Sequence, residues 1–112
     1  MVSIKLNKKP LSVNQAWQGK RFKTNKYKAY EKELLYTLPK LPLPYQNKKL
    51  KISFVFGFSS PLSDLDNPVK MLLDILQKKY RFNDKEVFEL NVKKEIVKKK
   101  AEFIKIEIST LN

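Results

Sequence analysis

The sequence Leu50-Lys51-Ile52-Ser53-Phe54-Val55-Phe56-Gly57-Phe58 is the strongest strand signal in the chain. It is rich in aromatic and β-branched residues, and apolar side chains alternate with polar ones at its start. Alternation of this kind places successive side chains on opposite faces of a sheet, one of them buried. We therefore predict a β-strand over 50–58, followed by a turn at Ser59–Ser63.

Before this strand, the sequence predicts one short strand and one helix. Residues 2–6 alternate apolar and polar side chains, which is typical of a strand, and a polar loop follows over 7–23. Thr24 is a suitable N-cap for a helix over about Asn25–Leu38. Its apolar stripe comprises Tyr27, Tyr30, Leu34, Leu35 and Leu38. Helix-breaking prolines follow at positions 39, 42 and 44.

After the strand, the sequence predicts a second helix and two further strands. Pro68 suits the first turn of a helix that runs to about Lys79, with Asp66 or Asn67 as its cap. Its apolar stripe comprises Val69, Leu72, Leu73 and Leu76. Beyond it we predict a hairpin, with strands over 87–97 and 103–108 joined by a turn at 98–100.

The predicted element order is β-α-β-α-β-β. This order indicates an α+β fold in which one mixed or antiparallel sheet carries two helices on one side. A length of 112 residues fits a single domain over 1–112 that is large enough to bury a core. We find no internal repeat, low-complexity segment or domain boundary.

Composition excludes several classes of chemistry. The chain contains neither cysteine nor histidine, so disulfides, thiolate or histidine-ligated zinc, cysteine nucleophiles and serine–histidine hydrolysis are all excluded. Carboxylates, Lys, Arg and Tyr remain as candidate catalysts. The apolar runs are too short to span a bilayer, and no segment has the form of a signal peptide. We expect a soluble, cytoplasmic protein with no membrane partner.

The positive charge is concentrated in the first half of the chain. The formal net charge is +13; residues 1–49 carry 12 Lys and Arg against Glu31 and Glu33, a net charge of +10. Residues 50–112 carry 12 basic against 9 acidic residues, a net charge of +3. A solvated lysine-rich surface is one explanation. A half-chain this basic exceeds what solubility requires, so we favour a phosphate-binding face.

All four aspartates lie between positions 64 and 84. Asp64 and Asp66 are separated by one residue in a segment that we predict to be extended, so both can face one cation while Leu65 points inward. Counting from Asp66, helical geometry turns Lys70 by about 40° and Asp74 by about 80°, which forms a polar stripe. Asp84 lies just past the helix, at a position where we expect the chain to return toward the same end of the sheet.

Clustered carboxylates in a basic protein match the needs of Mg²⁺, which binds few protein carboxylates and takes its other ligands from water and substrate phosphate. Lys70 is placed to orient an attacking water or to offset charge on the phosphate. The alternative is purely structural, with one aspartate capping the helix and Asp74 pairing with Lys70. We prefer that pairing for Asp74. A cap accounts for only one of Asp64 and Asp66.

At these residues the sequence resembles the RusA family of Holliday junction resolvases, small endonucleases of DNA recombination and repair that are common in prophages. The resemblance rests on Asp64-Leu65-Asp66-Asn67, Lys70, Asp74-Ile75-Leu76 and Asn83-Asp84-Lys85-Glu86-Val87. A weaker match lies upstream, at Pro10-Leu11-Ser12-Val13-Asn14 and the basic loop after it. The chain departs from the family pattern near position 80, where we expect a glycine.

The resemblance implies a homodimer that binds a four-way DNA junction, a branched double-stranded DNA, and makes paired nicks with Mg²⁺ or Mn²⁺. It implies that Asp64, Asp66 and Asp84 are the essential, metal-binding carboxylates and that Lys70 is the essential lysine. Asn14 shapes the loop near the active site in this interpretation, or simply makes a turn.

A second candidate region is the basic loop and the start of the first helix, whose cations we predict to bind DNA phosphates: Lys20, Arg21, Lys23, Lys26 and Lys28. Trp17, Phe22 and Tyr27 interleave with them and either stack on an opened base or anchor the loop in the core. For Tyr27 we favour the core, and for Trp17 both interpretations stay open.

The remaining charged residues are weaker candidates. Glu86 and Glu89 are possible extra ligands, although glutamates on exposed strands usually have no such role. Lys93 and Lys94 lie on opposite faces of a predicted strand, so at most one of them faces DNA together with the carboxylates.

Three functions are compatible with these features of the sequence. The first is a metal-dependent, structure-selective endodeoxyribonuclease, which the pattern favours. The second is a non-catalytic basic nucleic-acid-binding protein in which the aspartates only position a helix. The third is a ribonuclease that acts on structured RNA.

Overall fold

The computed structural model describes residues 2–11, 17–18, 22–40, 48–66 and 68–111, with the backbone alone at 17–18 and 22–23. Its strands and helices, in chain order, are β1 (Val2–Leu6), β2 (Trp17–Gln18), β3 (Phe22–Lys23), α1 (Asn25–Thr37), β4 (Leu50–Phe58), α2 (Val69–Tyr80), β5 (Val87–Ile96) and β6 (Phe103–Thr110). The α+β class and the order β-α-β-α-β-β of the main elements are confirmed. The small β2–β3 pair falls in what we predicted to be a loop.

The main sheet has the strand order β1-β6-β4-β5. β4 runs parallel to β5 and antiparallel to β6, and β1 runs antiparallel to β6. The predicted hairpin of the last two strands is therefore wrong, because β4 lies between them. The crossover through α2 carries the chain back to the start of β4, so β5 adds in parallel. The connection after β5 then crosses the end of β4, a span of about 10 Å.

β4 forms the centre of the core. Ile52, Phe54 and Phe56 are fully buried, whereas Lys51 and Val55, which point to the other face, are only partly buried. Both helices cover the buried face. The core also contains Ile104, Ile106 and Ile108 of β6, Ile4 and Leu6 of β1, Tyr27, Tyr30 and Leu34 of α1, and Met71, Leu72, Ile75 and Leu76 of α2. The alternation predicted for β4 from sequence is confirmed.

The N-terminal cap of α1 is confirmed. The side chain of Thr24 accepts a hydrogen bond from the backbone N–H of Tyr27 at 3.1 Å. The helix ends at Thr37, and the N–H of Leu38 donates to the carbonyl oxygen of Leu34 at 2.9 Å. Of the predicted apolar stripe, Leu35 alone is only partly buried.

The predicted cap of α2 by a side chain is wrong for Asp66, and Asn67 lies outside the described residues. Pro68 occupies the cap position, and no side chain caps the helix there. Asp66 contributes its backbone instead, because its carbonyl oxygen accepts a hydrogen bond from the N–H of Val69 at 3.1 Å. The proline and this turn start the helix without a side-chain acceptor. Over the part of the chain that the structure describes, neither helix is long and apolar enough to span a membrane.

α2 ends in a left-handed residue where we expected glycine. Arg81 has φ 57° and ψ 42°, and its N–H donates to the carbonyl oxygen of Gln77 at 2.8 Å. Glycine is the common residue at such a position because it has no Cβ to clash with the following carbonyl. The backbone therefore keeps the turn that a glycine would make, with an arginine in its place.

We predict that Arg81→Gly stabilises the protein by about 0.5–1 kcal/mol, because it removes a left-handed strain of about 1–2 kcal/mol at some cost in chain entropy. Urea unfolding measures the change. Lys32→Gly is the control, since Lys32 is exposed inside α1 and glycine in a helix interior costs about 1 kcal/mol. Destabilisation by both variants would show that Arg81 makes contacts that outweigh its strain.

Candidate active site

The ammonium group of Lys70 lies between two carboxylates. Its Nζ is 3.5 Å from Oδ1 of Asp74, one helical turn further along α2, and 4.0 Å from Oδ2 of Asp84. The pairing that we preferred for Asp74 is confirmed. The chain folds back after Arg81 and brings Asp84 to Lys70. The predicted return of Asp84 to the same end of the sheet as Asp64 and Asp66 is wrong, because Asp84 leads into Val87, which is aligned with Leu50 at the start of β4, whereas Asp64 follows the end of β4. Exposed ion pairs contribute about 0–1 kcal/mol to stability. These pairs matter chiefly because they place one ammonium group beside two carboxylates.

Asp84 is held in place by its backbone. Its N–H donates to Oε1 of Gln77 at 3.0 Å, and Nε2 of Gln77 donates to the carbonyl oxygen of Leu73 at 3.2 Å. Gln77 thus connects α2 to the segment that carries Asp84. We did not predict this role from the sequence, although Lys70, Asp74 and Gln77 occur at spacings of four and three, which place them on one helical face.

A capping box fixes the turn that starts at Asp84. Oδ1 of Asn83 accepts a hydrogen bond from the N–H of Lys85 at 3.1 Å, and Oε1 of Glu86 accepts one from the N–H of Asn83 at 2.9 Å. Oε2 of Glu86 accepts a further bond from the N–H of Lys48 at 3.2 Å. Glu86 therefore has a structural role. Glu89 is an exposed partner of Lys51 at 3.7 Å.

Asp64 and Asp66 are exposed on the connection between β4 and α2. The predicted extended segment with Leu65 pointing inward is wrong, because Leu65–Asp66 form a turn and Leu65 is 38% exposed. The chain begins to turn at Ser60, whose carbonyl oxygen accepts a hydrogen bond from the N–H of Ser63 at 3.3 Å. Turn formation at both ends of this short segment leaves no room for a strand.

The acidic residues fit a divalent metal ion by their chemistry. Asp64, Asp66 and Asp84 are exposed and offer carboxylate oxygens, the ligands that Mg²⁺ takes together with water and phosphate oxygens. Within the described ranges, no three acidic side chains are already gathered closely enough to hold an ion. The carboxylates that share a point of contact are Asp74 and Asp84, and that point is Nζ of Lys70. We call Asp74 and Asp84, joined through Lys70, the acidic cluster.

α1 packs beside this site through Tyr27. Burial first, and then the negative charges of Glu31 and Asp74, raise the pKa of Tyr27 to about 12. Tyr27 is only 1% exposed, which supports the core interpretation over base stacking. An ion pair of 2.9 Å between Lys78 and Glu31 also joins the two helices.

The predicted phosphate-binding residues are only partly described. Asn14, Lys20 and Arg21 lie outside the described residues, and for Lys23 the structure gives the backbone alone. Lys26 and Lys28 are exposed in the first turn of α1, and Lys26 lines a cavity of about 270 Å³ together with Lys8 and Lys9. The start of α1 therefore presents positive charge, and α1 packs against α2, the helix that carries Lys70 and Asp74.

The candidate residues fall within a match to a known protein family. The model of the family described as endodeoxyribonuclease RusA matches residues 7–109. The chain belongs to the RusA family. A search of curated proteins finds no match to this chain. The matched range includes the acidic cluster, Lys70 and the basic loop, so the resemblance noted from sequence is confirmed and supports an endonuclease of the Holliday junction resolvase type.

We predict that Gln77→Met loosens the turn at Asp84, because methionine fills a similar volume without accepting the hydrogen bond of the Asp84 N–H. The loss of one such bond is worth about 0.5–1.5 kcal/mol. Amide hydrogen exchange at Asp84, measured by NMR, should be several-fold faster than in the wild type. Gln77→Glu, which keeps an acceptor oxygen, should exchange more slowly than Gln77→Met. Equal exchange in the two variants would contradict a tether through Oε1.

Proposed function

We propose that this chain is a divalent-metal-dependent, structure-selective endodeoxyribonuclease of one RusA-like domain that makes paired nicks in four-way DNA junctions. The observation that carries the proposal is the convergence of Lys70 with Asp84 from 14 positions away, at 4.0 Å. Membership of the family supports the nuclease reaction and a branched DNA substrate.

In this proposal Asp64, Asp66 and Asp84 bind Mg²⁺ or Mn²⁺. A bound ion would supply Lewis acidity toward the scissile phosphate and lower the pKa of a nucleophilic water. The three aspartates are exposed to solvent, so a hydrated ion and a phosphate oxygen have access to them. Their negative charge repels DNA in the absence of metal, and cation binding removes that repulsion.

Lys70 acts on the phosphate or on the attacking water. Its ammonium carries three N–H donors and is 69% exposed, so it has donors left for substrate beside its two carboxylate partners. It offsets negative charge that develops on the phosphate in the transition state. Asp74 assists by holding the ammonium on the outer face of α2.

DNA binding in this proposal depends on the basic N-terminal half. Lys26 and Lys28 begin α1 with exposed ammonium groups, and the proposal adds Asn14, Lys20, Arg21 and Lys23 from the preceding loop. Lysine contacts with phosphates release counterions, which gives affinity without sequence preference.

A homodimer follows from the symmetry of the substrate. A four-way junction needs two nicks related by a two-fold axis, and two copies of one chain present two active sites in that relation. Resolution of such junctions is a step of DNA recombination and repair, which we propose as the biological role, in the cytoplasm.

We predict that the protein cuts a labelled four-way junction with Mg²⁺ or Mn²⁺, at paired symmetric positions, and leaves a linear duplex of equal length intact. EDTA should abolish cleavage. Asp64→Asn and Asp66→Asn should reduce it by about 10²- to 10³-fold or more, while metal-free junction binding stays equal or becomes tighter because charge repulsion is lost.

Glu89→Gln is the matched control for this assay. It removes an acidic charge from the surface of β5 outside the cluster and should cut like the wild type. Junction binding without cleavage in either metal would contradict the enzyme and leave a basic binding module. Preferential cleavage of a structured RNA tested in parallel would assign the protein to ribonucleases.

We predict that Lys26→Gln and Lys28→Gln each lower the slope of log affinity against log salt by about 1, since each removes one phosphate contact. Fluorescence anisotropy with a labelled junction in EDTA measures the slope. Lys98→Gln, in the turn after β5, is the control and should leave the slope unchanged. A slope that responds equally to all three substitutions would show that only net charge matters.

A further inference from the structure

Lys94 on β5 holds the turn that precedes Asp64. Its Nζ donates hydrogen bonds to the carbonyl oxygen of Pro61 at 3.2 Å and to that of Ser63 at 2.9 Å. We propose that Lys94 is a positioning residue of the active site, because these two bonds fix the direction in which the chain enters Asp64. The catalytic consequence of this role rests on the proposed nuclease function.

The register of the sheet explains why Lys94, and not Lys93, reaches the turn. Lys94 is aligned with Phe56 of β4, whose side chain is fully buried under the helices. Aligned residues of neighbouring strands share a face, so Lys94 points to the helix side of the sheet. Lys93 is aligned with Val55 and points to the opposite side.

Lys94 provides long-range contacts to Pro61 and Ser63, in the part of the turn whose other hydrogen bonds are local. Ser59, at the start of the turn, is also hydrogen-bonded to Glu102 of the β5–β6 connection. Within the turn, the N–H of Leu62 donates to Oγ of Ser60 at 3.2 Å and the N–H of Ser63 donates to the carbonyl oxygen of Ser60 at 3.3 Å. The two bonds from Lys94 reach back across 33 and 31 positions of the chain. They therefore connect the turn to the rigid sheet, which the local bonds do not.

The position of the second acceptor makes the contact relevant to Asp64. The carbonyl group of Ser63 belongs to the same planar peptide unit as the backbone nitrogen of Asp64. An ammonium held on that oxygen restricts rotation of the whole plane, and with it the direction of the Asp64 side chain. A lysine has three N–H donors on one nitrogen, enough for both carbonyl groups.

Release of this contact should displace a carboxylate relative to Lys70 and Asp84. Misplacement of a reacting group by about 1 Å can cost on the order of 10²-fold in rate. Lys94 itself need not touch DNA, because its ammonium is directed at the protein backbone. Its effect should therefore appear in the rate of cleavage rather than in affinity for the junction.

The test compares Lys94→Gln with Lys93→Gln, which removes the same charge from the adjacent residue on the other face. Amide hydrogen exchange by mass spectrometry reports on residues 62–66 in the protein alone. We expect exchange there to rise about tenfold or more in Lys94→Gln and to stay at the wild-type rate in Lys93→Gln. Lys94→Arg, which keeps the charge and donors, should recover part of the protection.

The same variants are then assayed for junction cleavage with Mn²⁺ and for metal-free binding. We expect kcat to fall on the order of 10- to 100-fold in Lys94→Gln and to change little in Lys93→Gln. Junction affinity should fall by a similar small factor in both, because each loses one positive charge. Thermal melting of each variant identifies a substitution that merely unfolds the protein. If Lys94→Gln unfolds, Lys94→Arg replaces it in the comparison with Lys93→Gln.

Equal exchange and equal kcat in Lys94→Gln and Lys93→Gln would overturn the proposal. Faster exchange with an unchanged kcat would overturn the catalytic consequence, and a lower kcat without faster exchange would show that Lys94 acts by another route. If the wild type cuts no branched DNA, the proposed function fails, and the exchange comparison alone still decides whether Lys94 tethers the turn.

Discussion

The burial of one face of β4 is the constraint on which the rest of the structure depends. Ile52, Phe54 and Phe56 are fully buried, and removing such side chains from water is the main source of stability in a domain of this size. β4 therefore takes an interior place in the sheet, and α2 packs across it. The outer face of α2 then carries Lys70 and Asp74, and the turn that leaves β4 carries Asp64 and Asp66.

The candidate acidic residues lie on one helix and its two flanking segments. α2 uses its inner face for the core and its outer face for Lys70, Asp74 and Gln77, so the charged groups keep a fixed spacing. The flanking segments are held by one contact from the helix itself and one from the sheet: Gln77 of α2 holds Asp84, and Lys94 of β5 holds the turn before Asp64. In the proposed function, the groups that meet substrate are thus distinct from the groups that fix their geometry.

Several local features of the fold were predictable from sequence, whereas the strand order was not. Two local predictions also failed, the side-chain cap at Asp66 and the extended segment at Asp64–Asp66, because the chain turns before Pro68. The alternation in β4, the Thr24 cap and the Lys70–Asp74 pair each involve residues within a few positions of one another. The predicted hairpin failed because spacing alone cannot show that β4 inserts between β5 and β6. The contacts of Lys94 were not predictable for the same reason, since they join distant segments that only the sheet register brings together.

The place of β4 in the strand order also has a consequence during synthesis. Both of its neighbours, β5 and β6, are encoded after it. A nascent chain therefore leaves both edges of its most apolar strand open until β5 has emerged from the ribosome, and one edge open until residues 103–110 follow; such edges readily pair with other chains. Lys48, Lys49 and Lys51 precede the apolar run and Pro61 follows it. Charged residues and proline at these flanks oppose aggregation, so the same lysines that make the protein basic also protect its core strand while it waits for its partners.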